Sequence, residues 1–288
     1  MVQPSFILTG HTDRVWGLAV DENYIYTGSN DEKICIWTKQ GNLMRTLTGH
    51  TSYVWSLMVD ATHIYSGSAD GTIRVWTKAG AIVRVMSGHT KEVSALAVDN
   101  NYLYSGSNDT NIMIWTKSGT LQHTLSGHCA EVWGLAVDAY YLYSAANDGT
   151  IRIWTKTGEH VRTINAHRGR ANRVALDNNH IYSASSDGIL SIWSKNGVLI
   201  RNIEAHDDEI WCVAIDNDYI YTGSTDQTLR IWTKTGQHLY TLTGHTEWVG
   251  VVVVDQQYIY TGSTDSTVRV WNKAELGLHG SDLDPTRT

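Results

Sequence analysis

Short apolar and aromatic runs alternate with polar turn sequences along the chain, and the same arrangement returns every 39 residues. In the first copy, residues 15–20 are apolar, apolar and polar positions alternate across 24–29 and 33–38, and a fourth run follows at 43–48. Turn sequences rich in Asp, Asn and Gly separate these runs, and no segment shows helical spacing of its apolar residues. Each copy therefore predicts four short β-strands.

Four residue types recur at fixed positions within the repeat. They are the histidines His11, His50, His89, His128, His167, His206 and His245; the hydroxyl residues Thr27, Ser66, Ser105, Ser144, Ser183, Thr222 and Thr261; the aspartates Asp31, Asp70, Asp109, Asp148, Asp187, Asp226 and Asp265; and the tryptophans Trp37, Trp76, Trp115, Trp154, Trp193, Trp232 and Trp271. Seven copies account for nearly all of the 288 residues. We therefore predict one domain, residues 1–273, followed by a flexible tail at 274–288.

One four-stranded antiparallel sheet cannot bury both of its faces, whereas seven sheets packed radially can. The repeat thus predicts an all-β, seven-bladed β-propeller with four antiparallel strands per blade. Residues 5–11 align with the fourth strand of the other repeats, and the last repeat stops after its third strand. We expect the N-terminal strand to complete the last blade and to close the ring.

The recurring string is Gly-His, a strand, Tyr-(Ser/Thr)-Gly-Ser-x-Asp, and a strand that ends in Trp. It resembles the WD40 repeat, and the resemblance covers residues 2 to about 273. The residue after each Trp is never the Asp of the family pattern, and Ala166 and Ala205 replace the Gly before His in two repeats. The resemblance implies that the His, Ser/Thr, Asp and Trp of each repeat form a chain of hydrogen bonds inside their blade.

These repeated groups also have the composition of a Ser–His–Asp catalytic triad. Catalysis needs one site, however, and seven interchangeable copies indicate an architectural role. The remaining histidines are scattered without paired ligand spacing, and neither a GxxxxGK[ST] loop nor a GxGxxG string occurs. We predict a protein that is not an enzyme and that carries no metal site and no cofactor.

Charge and composition limit the classes of partner that we expect. The formal net charge of −7 gives no basic excess for nucleic-acid binding, and no apolar run approaches the length of a membrane helix. The three cysteines are far apart, and the N-terminus lacks the pattern of a secretory signal. We expect a cytoplasmic monomer that binds protein or peptide, with no nucleic acid and no membrane.

The predicted topology divides the turns between two faces. One face receives an Asp after each first strand and a Lys after each third strand, beginning with Asp21 and Lys39. We interpret these as a solvated rim of balanced charge. The opposite face varies more among the repeats, and variation at equivalent positions is where a repeat scaffold encodes its partner.

The candidate binding residues lie on that variable face, three and five positions after each repeated His, where the resemblance implies the mouth of the central channel. They are Arg14, Trp16, Tyr53, Trp55, Glu92, Glu131, Trp133, Arg170, Asn172, Glu209, Trp211 and Trp248. Aromatic and Arg residues anchor interfaces. The glutamates with the indoles suit a Lys- or Arg-bearing segment, whereas the arginines suit an acidic or phosphorylated one. The tryptophans could instead simply fill the channel wall.

Three functions remain open at this stage. The leading hypothesis is a scaffold that binds a peptide or protein segment at the channel mouth. The second is the recognition or targeting domain of a larger protein, of the kinase or ubiquitin-ligase receptor type. The third is an idealised or recently amplified propeller without an evolved ligand, since residues 71–78 and 149–156 differ at one position.

Overall fold

The computed structural model describes residues 2–278, and within them 28 β-strands form seven four-stranded antiparallel sheets. The first strand of each sheet lies at the central channel. These strands are β2 (Val15–Val20), β6 (Val54–Val59), β10 (Val93–Val98), β14 (Val132–Val137), β18 (Ala171–Leu176), β22 (Ile210–Ile215) and β26 (Val249–Val254). The second strands are β3 (Tyr24–Ser29), β7 (His63–Ser68), β11 (Tyr102–Ser107), β15 (Tyr141–Ala146), β19 (His180–Ser185), β23 (Tyr219–Ser224) and β27 (Tyr258–Ser263).

The outer half of each sheet is built in the same way. The third strands are β4 (Ile34–Thr38), β8 (Thr72–Thr77), β12 (Ile112–Thr116), β16 (Thr150–Thr155), β20 (Ile189–Ser194), β24 (Leu229–Thr233) and β28 (Thr267–Asn272). The fourth strands are β5 (Leu43–Leu47), β9 (Ile82–Ser87), β13 (Leu121–Leu125), β17 (His160–Asn165), β21 (Leu199–Glu204), β25 (His238–Leu242) and, from the N-terminus, β1 (Phe6–Thr9). The prediction of an all-β, seven-bladed propeller is confirmed.

Blades one to six are the sheets β2–β5, β6–β9, β10–β13, β14–β17, β18–β21 and β22–β25. Blade seven orders its strands β1-β28-β27-β26, with Phe6 opposite Val270 and Thr9 opposite Thr267. The expected closure by the N-terminal strand is therefore confirmed. We call the face with the turns between second and third strands the top face, and the other the bottom face.

The core lies between the blades, because each blade buries one face against the next. Leu47 of blade one, for example, is in the same buried cluster as Val54 and Trp76 of blade two. Seven such clusters, each shared by two neighbouring blades, run around the ring. Apolar packing on both faces of every sheet fixes the blades relative to one another and so gives the channel rigid walls.

The segment after the last strand is packed where the structure describes it. Ala274–Leu276 forms a 3₁₀ turn, and Leu276 and Leu278 are buried in the cluster that also contains Leu229 and Leu242 of blade six. These residues belong to the predicted flexible tail, whose remainder, 279–288, lies outside the described residues. In the described part of the chain, no helix has the length and apolar character needed to cross a bilayer.

Candidate interface at the channel mouth

The four repeated side chains meet in every blade. In blade two, Trp76 Nε1 donates a hydrogen bond to Ser66 Oγ at 2.9 Å, and Ser66 Oγ lies 2.7 Å from His50 Nε2. His50 Nδ1 lies 2.7 Å from Asp70 Oδ2. The other blades repeat these contacts, except that His167 Nδ1 in blade five is 3.7 Å from Asp187 Oδ2. Blade five therefore has the weakest connection between His and Asp.

The burial of this network favours a structural role over a catalytic one. If the hydroxyl accepts from the indole and donates to His Nε2, a neutral His can donate through Nδ1 to the Asp. Burial lowers the pKa of His89 and of His167, which is consistent with neutral rings at pH 7. In blade one burial also opposes the charged ring, but the hydrogen bond to Asp31 outweighs it and raises the pKa of His11 to about 9, so this ring is protonated at pH 7. The hydroxyls have no exposed surface, as at Ser66, so substrate cannot reach them. The network holds each blade's register.

A β-bulge in every first strand shapes the channel mouth. In blade one, Val15 pairs with Ser29 and Gly17 with Gly28, so Trp16 is the extra residue between them. The same register shift occurs in the other six first strands. Bulges of this kind redirect a side chain out of the regular alternation. The bulged residues are Trp16, Trp55, Ser94, Trp133, Asn172, Trp211 and Gly250.

The four bulged tryptophans pack against one another in a closed ring. Ring centroids are 5.3 Å apart for Trp16 and Trp55, 5.4 Å for Trp55 and Trp133, 6.1 Å for Trp133 and Trp211, and 5.4 Å for Trp16 and Trp211. We call this the indole ring. Its closure depends on a small residue in blade seven, because a Cβ on Gly250 would lie 2.8 Å from the Trp16 ring.

The indole ring is partly covered and carries unsatisfied donors. Trp16 is only 5% exposed, whereas Trp55, Trp133 and Trp211 are half-buried. Trp211 Nε1 donates to a threonine hydroxyl, but the buried indole N–H groups of the other three have no partner among residues 2–278. The indole ring thus lines the wall of the channel and also offers aromatic surface at its mouth.

Above the indole ring, exposed side chains from blades one and two pack against aromatic neighbours. Arg14 is exposed, and its guanidinium lies 6.0 Å from the ring centroid of Trp248. Tyr53 is 43% exposed, with its ring edge-on to Trp55 at 6.1 Å. Trp248 in turn stacks on Trp211 at 5.9 Å and an interplanar angle of 12°. These residues form an aromatic rim with one cation.

The second arginine is neutralised within the protein. Arg170 Nη2 donates to both carboxylate oxygens of Glu209, at 2.8 and 2.9 Å, and its guanidinium lies 5.9 Å from the Trp211 ring. Glu209 also accepts from Asn172 Nδ2 at 2.9 Å. Blades five and six therefore offer no unpaired charge from these positions.

Blades three and four differ, because their glutamates bind only neutral partners. Asn108 Nδ2 donates to Glu92, and Asn147 Nδ2 donates to Glu131 at 3.2 Å. Both glutamates are half-buried, and no Lys or Arg within residues 2–278 forms a salt bridge with either. An amide orients a carboxylate without cancelling its charge, so this adjacent pair keeps its negative charge. We call Glu92 and Glu131 the acidic arc.

The structure thus brings all twelve sequence-predicted binding residues to the channel mouth, but their exposure to solvent differs. Trp16 and Asn172 are buried, Arg14, Tyr53 and Arg170 are exposed, and the others are half-buried. Sequence reasoning missed Arg173, which lies inside the channel one residue beyond the bulge. The signal was available, since this position holds a small residue or Val in the other six repeats.

This chain is similar to known β-propeller proteins in both sequence and structure. A family model described as a WD40-like domain matches residues 15–270. The solved WD40 β-propeller domain of Doa1 is 25% identical, with a TM-score of 0.86, and the match covers 93% of this chain and 96% of that one. The computationally designed Ika8 protein is 26% identical, with a TM-score of 0.75 and coverage of 94% and 99%. No curated protein matches the chain.

Proposed function

The chain belongs to the WD40-like family, and from this membership and the geometry of its channel mouth we propose a non-enzymatic scaffold that binds a protein segment on its top face. WD40 propellers generally serve as scaffolds for proteins or peptides. Fold alone does not choose the ligand. The proposal about the ligand comes from the acidic arc and the aromatic rim, and the cytoplasmic, monomeric state predicted from the sequence stays a prediction.

The observation that carries the proposal is the uneven distribution of unpaired charge at the mouth. Glu92 and Glu131 keep two negative charges on adjacent blades, whereas Glu209 cancels the charge of Arg170. Arg14, on the far side of the ring, is the remaining cation among the predicted binding residues. A segment that places Lys or Arg at the acidic arc gains both charge-assisted hydrogen bonds and contact with the indole faces.

The packing of the indole ring also favours an extended segment that lies on the surface. The indole ring closes the channel to a backbone, so a ligand must lie across the top face and not thread through the disc. Tyr53 and Trp248 then provide the aromatic surface that anchors interfaces, at opposite sides of the ring. The expected ligand is a short, basic and partly aromatic or aliphatic stretch of a partner protein.

A peptide selection tests this directly. Random twelve-residue peptides displayed on phage are selected against the immobilised protein, and the affinities of enriched peptides are measured by fluorescence polarisation. We expect Lys- or Arg-containing peptides whose Kd rises about tenfold or more in the double variant E92Q/E131Q, because two charged acceptors are lost. The matched control is E22Q, the same change at an exposed position of the bottom face, which should leave Kd unchanged.

The result has three contrary outcomes. Enriched peptides that are acidic would transfer the site to Arg14. Peptides that bind E92Q/E131Q as tightly as the original chain, but lose affinity in Y53A, would keep the top face and remove the acidic arc. Selection without enrichment would favour the alternative of a propeller without an evolved ligand, which the near-identical segments 71–78 and 149–156 and the similarity to a designed propeller support.

The alternative of a targeting domain concerns whether this chain is part of a larger protein, and it does not change the proposed binding site. The similar Doa1 structure is described as a domain of that protein. A recognition domain of this kind would use the same top face, so the peptide selection applies to it unchanged. Reading the gene on both sides of the present sequence distinguishes the two.

A further inference from the structure

Inside the central channel lies one cationic side chain that the fold does not require. Arg173 follows the bulge of blade five, and the other blades place Gly17, Ser56, Ala95, Gly134, Cys212 and Val251 at the equivalent position. Six blades therefore form the same strand without a charge at this point. The neighbouring glycine leaves space for Arg173, since a Cβ on Gly134 would lie 2.9 Å from its Cα.

The channel around Arg173 is a small and otherwise uncharged cavity. Its volume is about 160 Å³, and its walls combine aliphatic and small polar residues of the first strands with three tryptophans of the indole ring. No Asp or Glu of the described residues lines it. Pockets for drug-sized ligands start at about 300 Å³, so this cavity has room only for a small molecule or ion.

The guanidinium of Arg173 uses only part of its hydrogen-bonding capacity on the protein. Nη1 donates to the carbonyl oxygens of Trp133 and Asn172. Within residues 2–278, Nε and Nη2 have no acceptor. These two nitrogens lie on one edge of the planar group, and this edge matches the two oxygens of a carboxylate.

Among residues 2–278 the positive charge of Arg173 also lacks a counter-charge. Burial lowers the pKa of Arg173, which reflects the cost of removing the guanidinium from water. The titratable group that interacts with Arg173 is Cys212, and burial raises the pKa of that thiol to about 12, so the thiol is neutral at pH 7. Arg173 is half-buried in the channel; a charge that is partly removed from water and has no partner is costly, and an anion in the cavity would lower that cost.

We propose that the central channel is a binding site for a free small carboxylate anion of the formate or acetate class, held by the Nε and Nη2 edge of Arg173. The carbonyls of Trp133 and Asn172 orient the guanidinium from the other side. The small volume of the cavity suits an anion with a short alkyl group and excludes larger ones. The site lies below the indole ring and is separate from the top-face ligand proposed above, so either proposal can fail without the other.

Thermal unfolding of the full chain tests the site. Sodium acetate is compared with the sodium salt of a bulky sulfonate buffer, MES, at equal ionic strength and pH. We expect acetate to raise Tm saturably, by roughly 2–4 °C, because a ligand that binds only the folded state stabilises it. The variant R173M should lose this response. The matched control R45M, at an exposed arginine of the outer strand β5, should keep it.

An equal acetate response in R173M, or no response in the original chain, would overturn the proposal. If R173M fails to fold, R173K keeps the charge without the two-nitrogen edge and should respond less than the original chain. NMR gives a readout without any variant: with ¹⁵N-labelled arginine, the Nε–H resonance of one solvent-protected guanidinium should shift saturably with acetate. Resonances that all stay unchanged would contradict the site.

Discussion

Lys39 Nζ lies 2.8 Å from Asp255 Oδ2, so an ion pair joins blade one to blade seven across the point where the ring closes. The same nitrogen lies 3.0 Å from Tyr260 Oη and 4.9 Å from the centre of that ring. Every other interface between blades has an equivalent pair: Lys78–Asp21, Lys117–Asp60, Lys156–Asp99, Lys195–Asp138, Lys234–Asp177 and Lys273–Asp216. The bottom rim is therefore a ring of contacts between blades and more than a solvated surface.

Removing one of these lysines should weaken one interface. In K39M, Asp255 keeps its bonds from the Tyr260 hydroxyl and from two backbone amides. We expect the free energy of unfolding to fall by about 1 kcal/mol, near the upper end for exposed pairs, because both side chains are partly buried. Urea denaturation measures it.

The matched variant is K117M, at the interface between blades two and three. Its pair with Asp60 has the same 2.8 Å distance, so an equal loss is expected. A loss several times greater in K39M would show that ring closure depends on this pair more than the uniform geometry implies.

Acid should destabilise the ring through its buried carboxylates. Burial opposes ionisation of Asp226, but hydrogen bonds from His206 and Thr228 outweigh it and lower its pKa to about 2. Burial likewise opposes ionisation of Asp177, and bonds led by Tyr182 lower its pKa to about 2. In the unfolded chain the pKa of an Asp is about 3.9. The unfolded state therefore binds more protons below about pH 4.

The stabilisation from these aspartates is complete above about pH 5 and is lost as pH falls from about 4 to 2. Urea midpoints should thus be clearly lower at pH 3 than at pH 5, and the lowered pKa of His89 and His167 adds a loss of the same sign. A midpoint that rises on acidification would contradict the sign of these shifts.

Leu8 should be important for closure as well as for packing. It is 2% exposed, in the strand that completes blade seven, and Leu47 is the equivalent residue of blade one. L8A and L47A should each cost about 2–4 kcal/mol through the cavity they leave. Only L8A should also speed amide hydrogen exchange in β28, because the N-terminal strand is then held less tightly. Equal exchange in β28 for both variants would contradict this role of β1.

Because the His–Asp contact of blade five is long, an Asp-to-Asn substitution should cost less stability there than in the other blades. D70N breaks a 2.7 Å contact with His50, whereas D187N alters a 3.7 Å contact with His167. We expect D70N to lower the free energy of unfolding by about 1–3 kcal/mol and D187N by clearly less. Chemical denaturation of the two variants, side by side, checks the order, and equal losses would show that the longer distance has no energetic meaning.

The sequence alone predicted the ring, because a 39-residue period places every His, Asp and Trp in the same environment. The first-strand and second-strand bounds of blade one, 15–20 and 24–29, match those of the structure. The ion pairs between blades were not predicted. Lys78 and Asp21, for example, are 57 residues apart, and this separation does not correspond to the 39-residue repeat. The indole ring escaped because contact across the channel depends on the bulges and on the channel's width, neither of which the strand pattern shows.

The N-terminal strand contributes to blade seven only as a fourth strand, in the register that β5 has in blade one. Since the seven interfaces have equivalent pairs and clusters, the ring has no position that must carry the chain break. Circular permutation follows as a consequence: joining the present termini with a linker and cutting the chain before the fourth strand of any other blade should give a protein of the same shape.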